Sequence, residues 1–359
     1  MNRIESAFFN ALQHAIAGKP LTEALFTALT AEEWVALYKL SRNQGVLAIV
    51  FDALKEVYSV LPPQIRLQWA YGAMQIEDKC DKQWHLANEL CEEYGKSGIK
   101  TVVLKGFALS RYYPNPKHRE CGDFDCYLLG NFEQGNRIAE KLGAKVRFDD
   151  YKHSHISYKG LMIENHKFCT SVRGPKVNKQ FELFLQELLA KDGVEQLADS
   201  AIYSPSSTFN ALFLIKHTMV HFLYEGVKIR HLLDWACLVK AEGENIDWSI
   251  VDGWCKRLHL NNFVDLMNAT VNRYLGLELS GSGRAFDGAA VDKFVRGMLY
   301  DDTAVYNNTH ASIWHQRYAI VKNMVSSRWK FSKVYKKSLI LELLKSSWYA
   351  LFEKQPKLK

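Results

Sequence analysis

Two aspartates one residue apart, Asp123 and Asp125, stand in the strand-like run DFDCYLL, directly after a loop rich in Pro, Lys and Arg, YYPNPKHREC. On a strand alternate side chains face the same way, so the two carboxylates share a face with Cα atoms roughly 7 Å apart, and Phe124 and Cys126 turn to the other side. Like charges this close repel unless a cation lies between them, and paired oxygen donors suit Mg²⁺. In the later run LMIENHKF, Glu164 and His166 also alternate onto one face. Glu164 can then supply the third carboxylate of a phosphoryl-transfer centre with two Mg²⁺ ions about 3.5–4 Å apart. His166 has two readings of equal weight: it orients Glu164 or touches phosphate, or it fills the sheet face.

Upstream, a strand runs through Lys105-Gly106 into a short helix, FALSRYY. Glycine permits close backbone approach, and a helix N-terminus offers unpaired N–H groups to phosphate. Lys105 adds a point charge and Arg119 a planar fork for phosphate oxygens. A metal-bound triphosphate between acids and bases accounts for the juxtaposition. A lone D-x-D is more often an edge or turn feature; the specificity lies in the order strand, Lys-Gly, helix, Arg, Gly-Asp-x-Asp strand, helix, acid-bearing strand.

Over most of its length, and sharply over about 101–168 in LKGFALSRYYPNPKHRECGDFDCYLL and the later MIENHKF, the chain resembles the uncharacterised bacterial nucleotidyltransferase family of the polymerase-β-like superfamily. The resemblance implies transfer of a nucleotidyl group from a nucleoside triphosphate, the donor substrate, to an acceptor that it does not name. It places Asp123 and Asp125 at the metal-binding pair, Glu164 at the third acid and possible base for the acceptor hydroxyl, and Lys105 and Gly106 at the phosphate loop. The wider superfamily usually has Gly-Gly or Gly-Ser where this chain has Lys105-Gly106, and the spacing to Asp123 is longer. That departure supports an alternative, a non-catalytic module that binds a nucleotide or a partner protein.

The elements that must hold these residues fall into three parts. Residues 1–98 read as a helical domain: IESAFFNALQHAIAG, AEEWVALYKLSRNQG and VLAIVFDALKEVY carry helical periodicity, Pro62 and Pro63 break it, and a long helix follows to about Gly98, with Leu67, Ala70, Met74, Ile76, Leu86 and Leu90 recurring every three or four positions. Residues 99–195 read as a nucleotidyltransferase-like α/β core with a small mixed sheet, including AKVRFDDY and a hairpin, HSHISYK to LMIENHKF, across a Lys159-Gly160 turn. Residues 196–359 read as helical again from Ser207, with a basic tail. The fold class expected is α+β.

Within the last part, His217 and His221 are four apart on a helix, and Arg230 and Asp234 repeat the spacing on the next. Helix–helix contact is the default for such histidines; a zinc site lacks a carboxylate in the motif, and the remaining role is to line a nucleotide or acceptor pocket. His153 and His155 read as ordinary half-exposed strand positions.

The net charge of +7 is concentrated in the tail, where residues 316–359 hold eleven Lys or Arg against Glu342 and Glu353. With its aromatics, that tail makes nucleic acid a possible but not favoured partner; an amphipathic helix with a solvated basic face is preferred. Seven scattered cysteines with no CxxC pair fit reduced thiols. No apolar run of membrane-spanning length and no secretory leader is present, so a cytoplasmic protein is expected. The Gly-x-Gly in LSGSGRAFDG follows no strand and reads as a loop; GxSxG, Walker and HExxH motifs are absent.

Overall fold

The structure is a computed structural model describing residues 1–279, 286–300, 318, 321–322 and 324–344. The Gly-x-Gly expected as a loop lies outside those residues, and so does part of the tail read as a basic helix (316–317, 319–320, 323 and 345–359). The helices are α1 (Arg3–Ala17), α2 (Glu23–Thr27), α3 (Ala31–Asn43), α4 (Leu47–Leu54), α5 (Pro63–Gly95), α6 (Phe107–Ser110), α7 (Phe132–Lys141), α8 (Lys176–Asp192), α9 (Ser207–Val220), α10 (Ile229–Glu242), α11 (Trp248–Leu258), α12 (Asn261–Thr270) and α13 (Gly288–Tyr300). The strands are β1 (Thr101–Val103), β2 (Phe124–Tyr127), β3 (Lys145–Arg147), β4 (His153–Tyr158), β5 (Leu161–His166), β6 (Val194–Gln196) and β7 (Ile202–Pro205). They form one mixed sheet in the order β3-β4-β5-β2-β1-β7-β6, so the fold is α+β as expected.

α5 begins with Pro63 in its first turn, where a missing N–H costs nothing, and runs for 33 residues. At 1.5 Å per residue it is about 50 Å long and reaches two apolar cores. Ile65, Trp69 and Ala73 belong to the larger core, shared with α1, α4 and the helices after 176; Ala87, Leu90, Cys91 and Tyr94 belong to the smaller one behind the sheet. The apolar stripe expected from Leu67 and Met74 does not face inward: these are 69% and 49% exposed. Trp69, the largest side chain of that turn, sets the buried face and turns its neighbours two and five residues away outward.

The sheet separates two environments by strand alternation. Phe124, Cys126, Ile156 and Ile163 face the smaller core, against α5 and α7. α7 lies so close that a Cβ on Gly135 would meet Leu128 Cδ1 at 2.0 Å, which only glycine avoids. On the opposite face β2, β4 and β5 carry acids and histidines instead of core residues. α8 and the β6–β7 hairpin, not among the elements expected from the sequence, extend the sheet and its cover.

Candidate active site

The β4–β5 turn puts Lys159 and Gly160 at φ 48° and 86°, the left-handed pair of a tight hairpin. The resulting register sets His155 opposite Glu164 and His153 opposite His166, while β2 pairs Asp125 with Glu164 on the other side. One sheet face therefore carries Asp125, Glu164, His166, His153 and His155. Asp123, one residue before β2, stands exposed at the mouth of the adjoining cavity.

Asp125 is 2% exposed. Its Oδ1 lies 3.1 Å from Lys105 Nζ and 3.3 Å from His166 Nε2, whereas its Oδ2 is buried with no hydrogen-bond partner. Burial alone would raise this carboxyl, but Lys105 and His166 outweigh it and hold it well below the usual carboxylate range. Glu164 behaves alike: burial and Asp125 raise it, and the contact with His166, with Oε2 at 3.4 Å, and the nearby His153 bring it below its ordinary value. Asp123 shifts the other way, raised by desolvation and by the charges of Glu164 and Asp125. Of the three converging acids, Asp125 and Glu164 are balanced by Lys105 and the histidines, and Asp123 is not. The unpartnered Asp125 oxygen and the strained ionisation of Asp123 fit a divalent metal held by oxygen donors; Asp125, Glu164 and His166 offer ligand atoms within 4.8 Å of one another.

The cation side differs from expectation in two places. Gly106, at φ 61° and ψ −113°, has the backbone that favours glycine, but the helix after it is a single turn. The Ala108, Leu109 and Ser110 N–H groups donate to the carbonyls of Lys105 and Gly106, so the donors expected for phosphate are largely used. Arg119 is 5% exposed and its fork is closed on Asp234, Nε to Oδ1 at 2.8 Å and Nη2 to Oδ2 at 2.7 Å. Tyr113 also donates to Asp234 Oδ1, at 2.6 Å. The guanidinium has a buried carboxylate partner from α10, which outcompetes solvent for its planar face.

The opposite wall of the cavity, of about 260 Å³, comes from the helices after 207. Ser206 caps α9, accepting from the Phe209 N–H, and α9 ends in a π turn, His221–Glu225, closed by Gly226 N–H to His221 O at 2.7 Å. The wider turn places Glu225 against His221, Oε2 to Nδ1 at 2.8 Å, and His221 Nε2 lies 3.1 Å from His217 Nε2. His231 Nδ1 accepts from Lys228 N–H at 3.0 Å, which leaves its Nε2 as the donor. His217 and His231 are held well below their ordinary values by burial and by surrounding cations and imidazoles, so both are neutral. Arg230 reaches the Glu120 carbonyl at 2.9 Å and, with Lys105, Lys228 and Asp234, completes the lining.

The sheet and α9–α10 thus bring Lys105, Gly106, Arg119, Asp123, His217, His221, Arg230 and Asp234 to one cavity, with Asp125, Glu164 and His166 joined to it through Lys105 and Asp123. Sequence pattern singles out none of Glu225, Lys228 and His231, and reads His153 and His155 as ordinary half-exposed strand positions. The two strand histidines were within reach, since a turn at 159–160 dictates that His155 face Glu164.

A family model described as "uncharacterised nucleotidyltransferase" matches residues 30–276, more than half of the chain and the whole of the sheet. No curated protein matches, and no solved structure matches. No helix among the described residues is long and apolar enough to cross a membrane.

Proposed function

The chain belongs to the uncharacterised nucleotidyltransferase family, and from that premise we propose that it moves a nucleoside monophosphate from a nucleoside triphosphate to a hydroxyl or phosphate of a small molecule or protein. The observation that carries this reading is the convergence of Asp123, Asp125 and Glu164 beside a cavity lined by Lys105, Lys228 and Arg230. Those three acids would hold Mg²⁺, which when bound neutralises charge developing on the transferred phosphoryl group. The neutral imidazole of His231 would donate its Nε2–H to a triphosphate oxygen, with Lys228 and Arg230 supplying charge and His217 lining the pocket. Lys105, already 3.1 Å from Asp125, would exchange that carboxylate for a phosphate oxygen. Arg119 acts by position: with its charge balanced by Asp234, it holds the 111–121 loop at the cavity edge. Glu164, ionised at neutral pH, would accept the proton of the acceptor hydroxyl.

The Lys105–Asp125 contact also favours a second reading, since it gives the buried acid an internal cation. On that reading the fold holds a nucleotide or partner protein without turnover. The test is thermal stability with each of ATP, GTP, CTP and UTP, with and without Mg²⁺, on wild type and on Asp123→Ala/Asp125→Ala. A ligand at about 100 times its dissociation constant contributes roughly 2.7 kcal/mol, enough to raise the melting temperature by a few degrees. A Mg²⁺-dependent rise for one nucleotide, lost in the double variant and accompanied by pyrophosphate release, supports transfer. A rise without pyrophosphate in the presence of acceptor candidates favours the binding module, and no rise with any triphosphate sinks the first reading. RNA as acceptor stands behind both; it requires RNA binding with a steep salt dependence that truncation of the basic tail abolishes.

A further inference from the structure

We propose that His153, His155 and Glu164 form a binding site for a first-row transition-metal ion, so that the centre pairs a nitrogen-rich metal position with the oxygen-rich one at Asp123 and Asp125. The inference deepens the nucleotidyltransferase reading and rests on it for the metal's use, though not for its binding. Three ligand atoms converge: His153 Nε2 and His155 Nε2 are 3.3 Å apart, and Glu164 Oε1 lies 3.6 Å from the first and 3.8 Å from the second. The centre of the circle through that triangle is about 2.1 Å from each corner, the length of a Zn–N or Zn–O bond. Two imidazoles that only shared hydrogen bonds with Glu164 would sit nearer to it, at about 2.7–3.2 Å.

The approach to the triangle is open enough for an ion to enter, with the His153, His155 and Glu164 side chains 11%, 27% and 20% exposed. Neither His153 Nδ1 nor His155 Nδ1 has a hydrogen-bond partner; Asp149 Oδ2 is 3.7 Å from the latter, within reach of a small shift that would orient the ring from behind. Strand pairing, not flexible loops, supplies the geometry, because His155 is held directly opposite Glu164. A set of two imidazoles and one carboxylate suits Mn²⁺, Fe²⁺, Co²⁺ or Zn²⁺, whereas Mg²⁺ prefers oxygen throughout. The imidazole trio on the helical wall is a poorer choice, since His231 spends its Nδ1 lone pair on Lys228 N–H and Lys228 and Arg230 line the same cavity.

The experiment titrates Co²⁺ into the chelator-treated full-length protein and follows the visible d–d absorption, then displaces it with Zn²⁺ and, separately, with a thousandfold excess of Mg²⁺. One equivalent should bind, Zn²⁺ should displace it and Mg²⁺ should not. His155→Ala should weaken Co²⁺ binding by more than the roughly 10–100-fold of an outer-shell change. His155→Asp, which swaps nitrogen for oxygen, should restore Mn²⁺ binding while losing the preference for Zn²⁺, and guards against misfolding as the cause. His217→Ala/His221→Ala should leave the absorption unchanged. Absence of Co²⁺ binding, binding indifferent to His155, or loss only in the helical-wall variant would each overturn the proposal. The Mg²⁺-dependent nucleotide shift is measured on the same samples: if it persists without Co²⁺ binding, the metal proposal fails and the transferase reading stands, and the reverse pattern separates them the other way.

Discussion

Arg119 and Asp234, 115 residues apart, form a two-point ion pair with both partners almost fully buried. The pair ties the loop before β2 to α10, and so joins the two walls of the cavity. Removing one member of a buried pair leaves an uncompensated charge, which typically costs about 3–5 kcal/mol. Asp234→Ala should therefore lower stability by that order in urea unfolding, and Arg119→Met/Asp234→Leu should recover much of the loss, because apolar groups of similar volume need no partner. A loss below about 1 kcal/mol for the single variant would mean that the loop relaxes and the pair does not hold the walls together.

The same loop has a second anchor with a pH signature. His118 is 3% exposed, with Nδ1 2.5 Å from Asp52 Oδ2 and Nε2 2.6 Å from Glu77 Oε1. Burial pulls its pKa down, but hydrogen bonds to Asp52 and Glu77 and their charges more than offset this, and the imidazole ends above its ordinary value. A group raised on folding contributes stability that is complete below its unfolded value of about 6.5 and is lost as pH climbs through the folded value. The stability difference between wild type and His118→Gln should be largest near pH 6, on the order of 1.5–3 kcal/mol for hydrogen bonds to charged groups, and should shrink toward pH 9. Denaturation midpoints for both proteins across that range decide it; a difference that does not vary with pH would show that the imidazole is neutral.

Local periodicity made α5, the β4–β5 turn and the Asp123/Asp125 strand legible, because each depends on spacing within a dozen residues. The Lys159-Gly160 turn even determines which residues of the two strands meet, so the pairing of His155 with Glu164 was implicit in it although the histidines read as ordinary. What spacing did not carry is pairing between distant elements. Arg119 reads as a free phosphate ligand until α10 brings Asp234 to it, and nothing near Leu67 or Met74 says that Trp69 will take the inward face. His231 enters the cavity because its ring also caps α10 by accepting the Lys228 N–H, a local reason that hides a tertiary consequence. The β6–β7 hairpin is hard to read because its strands are only three and four residues long, whereas α8, with Phe181, Leu185, Leu188 and Leu189 buried at helical spacing, is legible in principle.

Asp123 separates function from stability most sharply. Its carboxyl is raised by desolvation and by the neighbouring charges of Glu164 and Asp125, so the ionised form is disfavoured in the folded chain. The penalty is absent below the unfolded value of about 3.9 and is present in full once pH exceeds the raised folded value, which includes neutrality. Asp123→Asn removes the charge and keeps the shape. Without metal the variant should therefore be slightly more stable than wild type at pH 7, by no more than about 1 kcal/mol because the group is exposed and screened, and this advantage should vanish near pH 3. With Mg²⁺ and the preferred triphosphate the order should reverse, since wild type gains a ligand that the variant holds poorly. Melting curves of both proteins, at pH 7 and 3 without metal and at pH 7 with Mg²⁺ and nucleotide, test both halves. A variant less stable than wild type without metal would show that Asp123 makes a favourable contact in place of a repulsive one, and would remove the charge crowding from which the metal site is argued.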